Sequence, residues 1–297
     1  DQTKNLTIMS KNIQPNKLFV ASCLALLVTS LSFGIRAGVA KQQGIDFHLD
    51  DGQLLSIGSA AFLGFPLAML LGGTIVDIIG MKRLLIIAFF LHVAGILSTI
   101  FADGYWTLFL STLLIGIANG TVEAACNPLV TALYPDNKTT KLNHFHLWFP
   151  GGIVIGTLIV YFFTKMGLST HIQVGIMLIP AILYGYLFSK LDFPETERVT
   201  SGVSSADMYK SLLHPLFLLM IVCMLGTAVT ELFTGQWIDV LLKNVSDNAL
   251  LLLTIETGIM VIGRGLAEPV VHKFSAQGVL LMSAILAALG IYILGHT

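Results

Sequence analysis

The sequence predicts an all-α integral membrane protein, and three observations carry that prediction. Of 297 residues, 55% are hydrophobic and only 11% charged, with a mean hydropathy of +0.83. Soluble domains run at about 25% charged; so few charges cannot cover a water-facing surface, and lipid is the remaining solvent. Nine apolar runs reach spanning length, for which a helix needs about 20 residues. None alternates apolar and polar residues as the strands of a membrane barrel do, so the runs read as helices, which satisfy their own backbone polar groups inside a bilayer.

In chain order the runs cover roughly 17–40, 54–79, 84–102, 105–134, 142–163, 172–188, 214–238, 249–268 and 277–295. Several exceed the minimum, which permits tilt without fixing an angle. With the N-terminus inside, Lys4, Lys11, Lys17, Lys82, Arg83, Lys138, Lys141, Lys190, Arg198, Lys210 and Lys273 all fall on the cytoplasmic side, against Lys41, Lys165 and Lys243 outside. That asymmetry predicts a cytoplasmic N-terminus in a multi-pass protein of the plasma membrane or cell inner membrane. Connections are short except 189–213, which is polar, mixed in charge and contains Ser201-Gly202-Val203-Ser204-Ser205. The domains expected are a six-helix bundle over 1–188, a cytoplasmic linker over 189–213, and helices seven to nine over 214–297. Six spans, a linker and three spans are what a six-plus-six protein stopped after its ninth helix would show. The start at Asp1 and the end inside an apolar run fit the same expectation of C-terminal truncation. No cleavable signal sequence is expected, because the first run is too long and lacks a small-residue cleavage site.

Net charge is −1, which argues against a nucleic-acid partner. Cys23, Cys126 and Cys223 sit in apolar runs and read as packing residues; their spacing supports neither a disulfide framework nor a metal site. No Gly-x-x-x-x-Gly-Lys-Ser/Thr string is present, so ATP is not the expected energy source.

Glu123 stands deep in the fourth run, where a carboxylate costs roughly 2.5–3.5 kcal/mol on insertion scales. Gly116, Asn119, Gly120, Glu123 and Asn127 recur at three- and four-residue spacing, which places them on one side of a helix. Such a stripe is expected to face an aqueous cavity. Pro128 withholds an N–H from the carbonyl of Ala124. The fifth run opens with Asn143, His144 and His146, then Trp148, Phe149, Gly151 and Gly152. His146 titrates in the neutral range when unperturbed, His144 falls at the cytoplasmic boundary, and the rings of Trp148 and Phe149 suit the C–H face of a sugar. Arg36 in the first run suits an oxyanion, unless it snorkels to the outer surface. The seventh run adds Glu231, Gln236 and Trp237, and the eighth Glu256 and Arg264.

Between runs two and three stand Gly73, Asp77, Gly80, Lys82 and Arg83, with Ile78 and Met81 among them. The string resembles the loop signature Gly-x-x-x-Asp-(Arg/Lys)-x-Gly of the major facilitator superfamily. Gly73 is expected to admit a close helix approach, Asp77 to end its helix beside a neighbour, and Gly80 to make the turn. A weaker echo, Gly263-Arg264-Gly265 followed by His272-Lys273-Phe274, occupies the corresponding place in the second half and suggests a repeat. The stretch from Gly116 to Gly156 is similar to the fucose–proton symporter branch, through Glu123-x-Ala125-x-Asn127-Pro128-x-Val130-Thr131 and Lys141-Leu142-Asn143. That resemblance implies a twelve-helix fold, monomeric in its usual form, and a protonating role in coupling and sugar contact for Glu123. His146 stands where the branch carries Gln, Phe149 where it carries a sugar-contacting Asn, and Arg36 in a first helix that there bears acids.

The expected function is secondary active transport of a small polar solute by alternating access, as proton-coupled symport of a sugar. Glu123, Glu231 and His146 are the candidates for proton coupling. Arg36, Asn119, Asn127, Asn143, Trp148, Phe149, Gln236 and Trp237 are those for substrate; Gly73, Asp77, Gly80, Lys82, Arg83 and Arg264 form the conformational loop set. No cofactor or metal is expected beyond a proton or sodium gradient, and the partners are the bilayer and the solute. The alternative is export or exchange of an organic anion or sugar acid on the same fold. A membrane-embedded enzyme or receptor would group His144, His146 and Glu123 about a metal, but their spacing matches no His-Glu-x-x-His signature.

Overall fold

Residues 13–241 and 249–296 are described by a computed structural model. They are helical almost throughout and divide into two compact units after Ser201. Lys4, Lys11 and Lys243, used above for orientation, lie outside the described residues.

The first unit begins with α1 (Pro15–Asp46), whose Pro15 sits at the first turn, where its missing N–H costs nothing. The helix outruns its apolar stretch and carries Lys41 within it. A capping box starts α2 (Asp51–Ile79): Gln53 N–H donates to Asp50 Oδ1 at 2.8 Å, and Asp50 N–H to Gln53 Oε1 at 3.1 Å. Gly80, at φ +86° and ψ 148°, then turns the chain into α3 (Met81–Ile100), a conformation glycine adopts without the steric cost of a Cβ. Next come α4 (Tyr105–Leu133), α5 (Lys138–His146), α6 (Trp148–Lys165), α7 (Thr170–Gly175) and α8 (Leu178–Lys190). The fifth span is α5 and α6 joined at Leu147, and the sixth is α7 and α8 joined at Ile176 and Met177. Six spans of this unit are long and apolar enough to cross a membrane.

The apolar surface is distributed as lipid demands. Leu63, Leu67, Leu70 and Leu71 of α2 and Phe90 of α3 point outward, whereas α1 and α4 are the most enclosed. α4 packs chiefly on α2 and α3, and α1 on α6 and α8. Small residues make the closest crossings: a Cβ at Gly116 would stand 2.5 Å from the carbonyl oxygen of Ala61, and one at Gly64 2.7 Å from that of Leu113. Gly73 meets no close neighbour among the described residues. A Cβ there meets nothing within 4 Å, whereas at Gly72 it would lie 2.7 Å from Cβ of Ala124.

The segment expected as a plain linker contains helix and is partly docked. α9 (Glu197–Thr200) belongs to the first unit and α10 (Ser205–Leu212) to the second. Asp77 accepts from the hydroxyl of Thr196 and from Arg198 Nε at 2.5 Å. Lys82 Nζ donates to the carbonyl of Leu191 at 2.8 Å, and Lys138 pairs with Glu197 at 2.5 Å. The loop signature thus grips the chain that follows the sixth span, around a cleft of about 420 Å³ that also touches Arg83 and Glu195. Asp77 keeps only 7% of its side-chain surface and Arg198 keeps 21%. Arg198→Ala is therefore expected to cost about 2 kcal/mol, below the roughly 3–5 kcal/mol of a fully buried pair, because water reaches the guanidinium. The lowered unfolding midpoint of the detergent-solubilised variant checks this.

The second unit holds α10, α11 (Pro215–Leu241), α12 (Ala249–Gly265), α13 (Ala267–Phe274) and α14 (Ala276–Leu294). α10 and the part of α11 up to Glu231 bend by 66° at their junction, where Pro215 interrupts the hydrogen-bond ladder. The eighth apolar run is α12 for nearly all its length, and a second short helix, α13, begins at its end. Here the turn answering Gly80 falls at Ser275, at φ +63°, and not at the Gly263–Gly265 echo. Ser275 caps α14 by accepting from Gly278 N–H at 3.2 Å.

Candidate functional site

α4 carries the residues of interest, and its rotation decides what each can do. Gly116 and Gly120 lie against the α2 backbone; a Cβ on Gly120 would overlap the carbonyl oxygen of Phe65. Asn119, one position away and so about 100° round the helix, faces another way. It is fully buried, with Nδ2 donating to Ser32 Oγ of α1 at 3.0 Å and Oδ1 meeting His92 Nε2 of α3 at 2.8 Å. The polar stripe expected from spacing is therefore divided. The glycines close a helix crossing, and Asn119 is engaged inside the bundle instead of lining an open cavity.

Glu123 and Asn127 remain together. Glu123 is buried, and Asn127 Nδ2 donates to its Oε2 at 2.9 Å. The other end of that carboxamide, Oδ1, is buried with no hydrogen-bond partner. Pro128 interrupts the helix at the next position and brings no N–H to the Ala124 carbonyl.

Arg36 of α1 lies against aromatic rings. Its guanidinium lies beside the rings of Phe33 and Phe62, with Cζ 5.7 and 5.6 Å from their centroids. It lines an internal cavity of about 30 Å³ with Ser32, Gln43, Thr99 and Thr112, which is room for a water or two. Phe149 joins the same group, its ring edge-on to Phe33 at 5.7 Å, with Phe65 on the far side. Arg36 and Phe149 thus share Phe33 as a neighbour, α1 to α6.

The other candidates sit on α5, α6 and the helices of the second unit. His146 ends α5, half-buried, its ring 5.0 Å from that of Phe145; Asn143 lies one turn earlier. Trp148 starts α6 with its indole exposed, and its contribution to packing is a carbonyl 3.1 Å from Ser30 Oγ. In the second unit Glu231 of α11 pairs with Arg264 of α12 at 3.5 Å. Arg264 is therefore an ion-pair partner of the preceding helix, and Glu231 is held by a cation. Gln236 and Trp237 have side chains outside the described residues. Among the described residues no three His, Cys, Asp or Glu side chains are placed to hold a metal.

His92 was not picked out from the sequence. It is fully buried in α3, with Nδ1 2.8 Å from Tyr184 Oη of α8 and Nε2 on Asn119. The reasoning that picked Glu123, an ionisable group inside an apolar run, applies equally to His92 in the run 84–102.

A family model described as Major Facilitator Superfamily matches residues 18–297. Over 205 residues the chain is 25% identical to Myo-inositol transporter 1 of Candida albicans, covering 66% of this chain and 37% of that protein. It is 29% identical over 147 residues to the D-xylose transporter of Levilactobacillus brevis, covering 48% and 32%. The chain thus spans about a third of the length of these curated relatives. Among solved structures, that of a D-xylose-proton symporter superposes with a TM-score of 0.65 at 17% identity, over 87% of this chain and 69% of that one. This likeness is one of fold.

Proposed function

This chain belongs to the major facilitator superfamily, and from that premise we propose that it serves secondary active transport of a small neutral polyol or sugar, driven by protons through Glu123. The observation that carries the reading is the Glu123–Asn127 pair: an ionisable acid in a membrane span, bonded to a neutral amide beside a second, unmatched acceptor. Charged, the acid resists passage through hydrocarbon; protonated, it does not. A proton that must arrive before the protein reorients and leave afterwards makes the switch. The relatives named for myo-inositol and D-xylose support the solute class, and the likeness of Gly116–Gly156 to the fucose–proton symporter branch supports the role of the acid. In this reading the N-terminus is cytoplasmic, the protein works as a monomer in the plasma membrane, and sodium is the alternative coupling ion.

Arg36 favours a second reading, transport of a sugar acid, because its guanidinium sits among aromatic rings at an internal cavity. A carboxylate suits its planar fork. Counterflow of radiolabelled xylose, glucose, myo-inositol and a hexuronate in proteoliposomes separates the two. Exchange of a neutral solute, with accumulation collapsed by a protonophore, is the expected result. Exchange of the uronate alone favours the second reading, and accumulation that follows sodium and ignores the protonophore removes the proton.

A further inference from the structure

The coupling scheme leaves one fully buried titratable side chain of the first unit unused. His92 has both ring nitrogens engaged, in a run of hydrogen bonds that crosses four helices. Tyr184 of α8 meets Nδ1, Nε2 meets Asn119 Oδ1 of α4, Asn119 Nδ2 donates to Ser32 Oγ of α1, and Ser32 donates to the Thr29 carbonyl at 2.6 Å.

The last bond fixes the direction of the rest. A carbonyl only accepts, and Ser32 has one hydroxyl proton, which goes to Thr29. Ser32 Oγ is then the acceptor for Asn119, which turns the carboxamide oxygen toward the imidazole. An oxygen there requires an N–H on Nε2. The buried Tyr184 hydroxyl is matched when it donates to a bare Nδ1. Every donor along the chain finds an acceptor with one ring proton, and that proton is on Nε2. A second ring proton would set N–H against the Tyr184 hydroxyl and strand the phenolic proton; buried networks lose most when partly satisfied.

We propose that His92 is a positioning residue and not a proton carrier: a neutral imidazole, protonated on Nε2, that ties α8, α3, α4 and α1 together and fixes the rotation at which α4 presents Glu123. Asn119 lies one turn before Glu123, so the bond that holds the amide also sets the azimuth of the acid. Gly116 and Gly120, roughly 60–100° round the helix from Asn119, hold a neighbouring arc of α4 against α2. The inference rests on the coupling role of Glu123 proposed above.

The test compares His92→Gln with His92→Leu in the protein as expressed from its gene. A glutamine supplies a donor toward Asn119 and an acceptor toward Tyr184 but cannot carry a proton near neutral pH; a leucine supplies neither. Uphill accumulation needs a correctly presented Glu123, whereas counterflow needs no net proton movement. His92→Gln is expected to accumulate solute near the wild-type level. His92→Leu is expected to lose accumulation on the order of tenfold or more, the scale set by misplacing a reacting group, with counterflow retained. A purely structural role would lower both activities together and would overturn the proposal. So would loss of accumulation in His92→Gln, which would make His92 itself the carrier, or failure of that variant to fold. Should His92→Leu not fold, His92→Gln decides. Nitrogen-15 histidine NMR of the wild type, with His92→Gln as the assignment blank, is expected to show the Nε2–H tautomer; an Nδ1–H or doubly protonated ring refutes it. Wild-type protein that exchanges no solute would count against the transport reading instead, and leaves the NMR result to judge His92.

Discussion

Glu123→Gln is expected to abolish uphill accumulation while sparing counterflow. The amide has nearly the shape of a protonated carboxyl and can bond to Asn127, so the loaded form is mimicked and held. What it cannot do is release a proton to reset the cycle. The loss in coupled transport should reach about 10²-fold, the lower end of what a positioned proton-transfer group contributes. Stability should move the other way or stay level. The substitution removes an ionisable group from an enclosed site in a span, where insertion scales charge roughly 2.5–3.5 kcal/mol for the ionised form. Uptake against a gradient and the thermal midpoint of the purified protein are the two measurements. Full accumulation at every pH by a well-folded variant would remove the proton switch.

Gly120→Leu should prevent the first unit from assembling. Even a Cβ at this position overlaps the carbonyl oxygen of Phe65, a backbone atom that no rotamer change can move aside. Gly120→Ala is the graded form, expected to cost about 1–3 kcal/mol by forcing α2 and α4 apart. Gly73→Ala is the control. It meets open space within its unit, and replacing glycine inside a helix favours the folded state by about 0.5–1 kcal/mol. Size-exclusion profiles and thermal midpoints in detergent rank the three; equal behaviour of Gly120→Ala and Gly73→Ala would show that the α2–α4 crossing is not the constraint described.

These two sites also show where sequence reading succeeds and where it stops. Glu123 could be found from its neighbours in the chain alone, because a charge in an apolar run is a local contradiction. Gly80 could be found for a similar reason, since a turn between two spans needs a conformation that glycine supplies. Gly72 and Gly73 could not be told apart, because which of two adjacent glycines meets α4 depends on the rotation of α2. Arg264 sits near two glycines in the chain and so read as part of a turn; folded, it faces Glu231 on the preceding helix.

The sequence by itself determined that this protein is a stack of membrane-spanning helices of the major facilitator superfamily, with an acid buried in the fourth. The spans and the misplaced acid follow from matching each segment to lipid, residue by residue along the chain; the family follows from the resemblance of the loop between the second and third spans and from the family match. Only the tertiary structure decided that Asn119 turns to His92 and Ser32, that Gly116 and Gly120 close on α2, and that Arg36 lies against Phe33 and Phe62, with Phe149 on Phe33. The physical reason is that a period of 3.6 residues fixes the angles between side chains on one helix but not the rotation of that helix about its own axis. The neighbouring helices set that rotation, by the small residues they can approach and the hydrogen bonds they must complete.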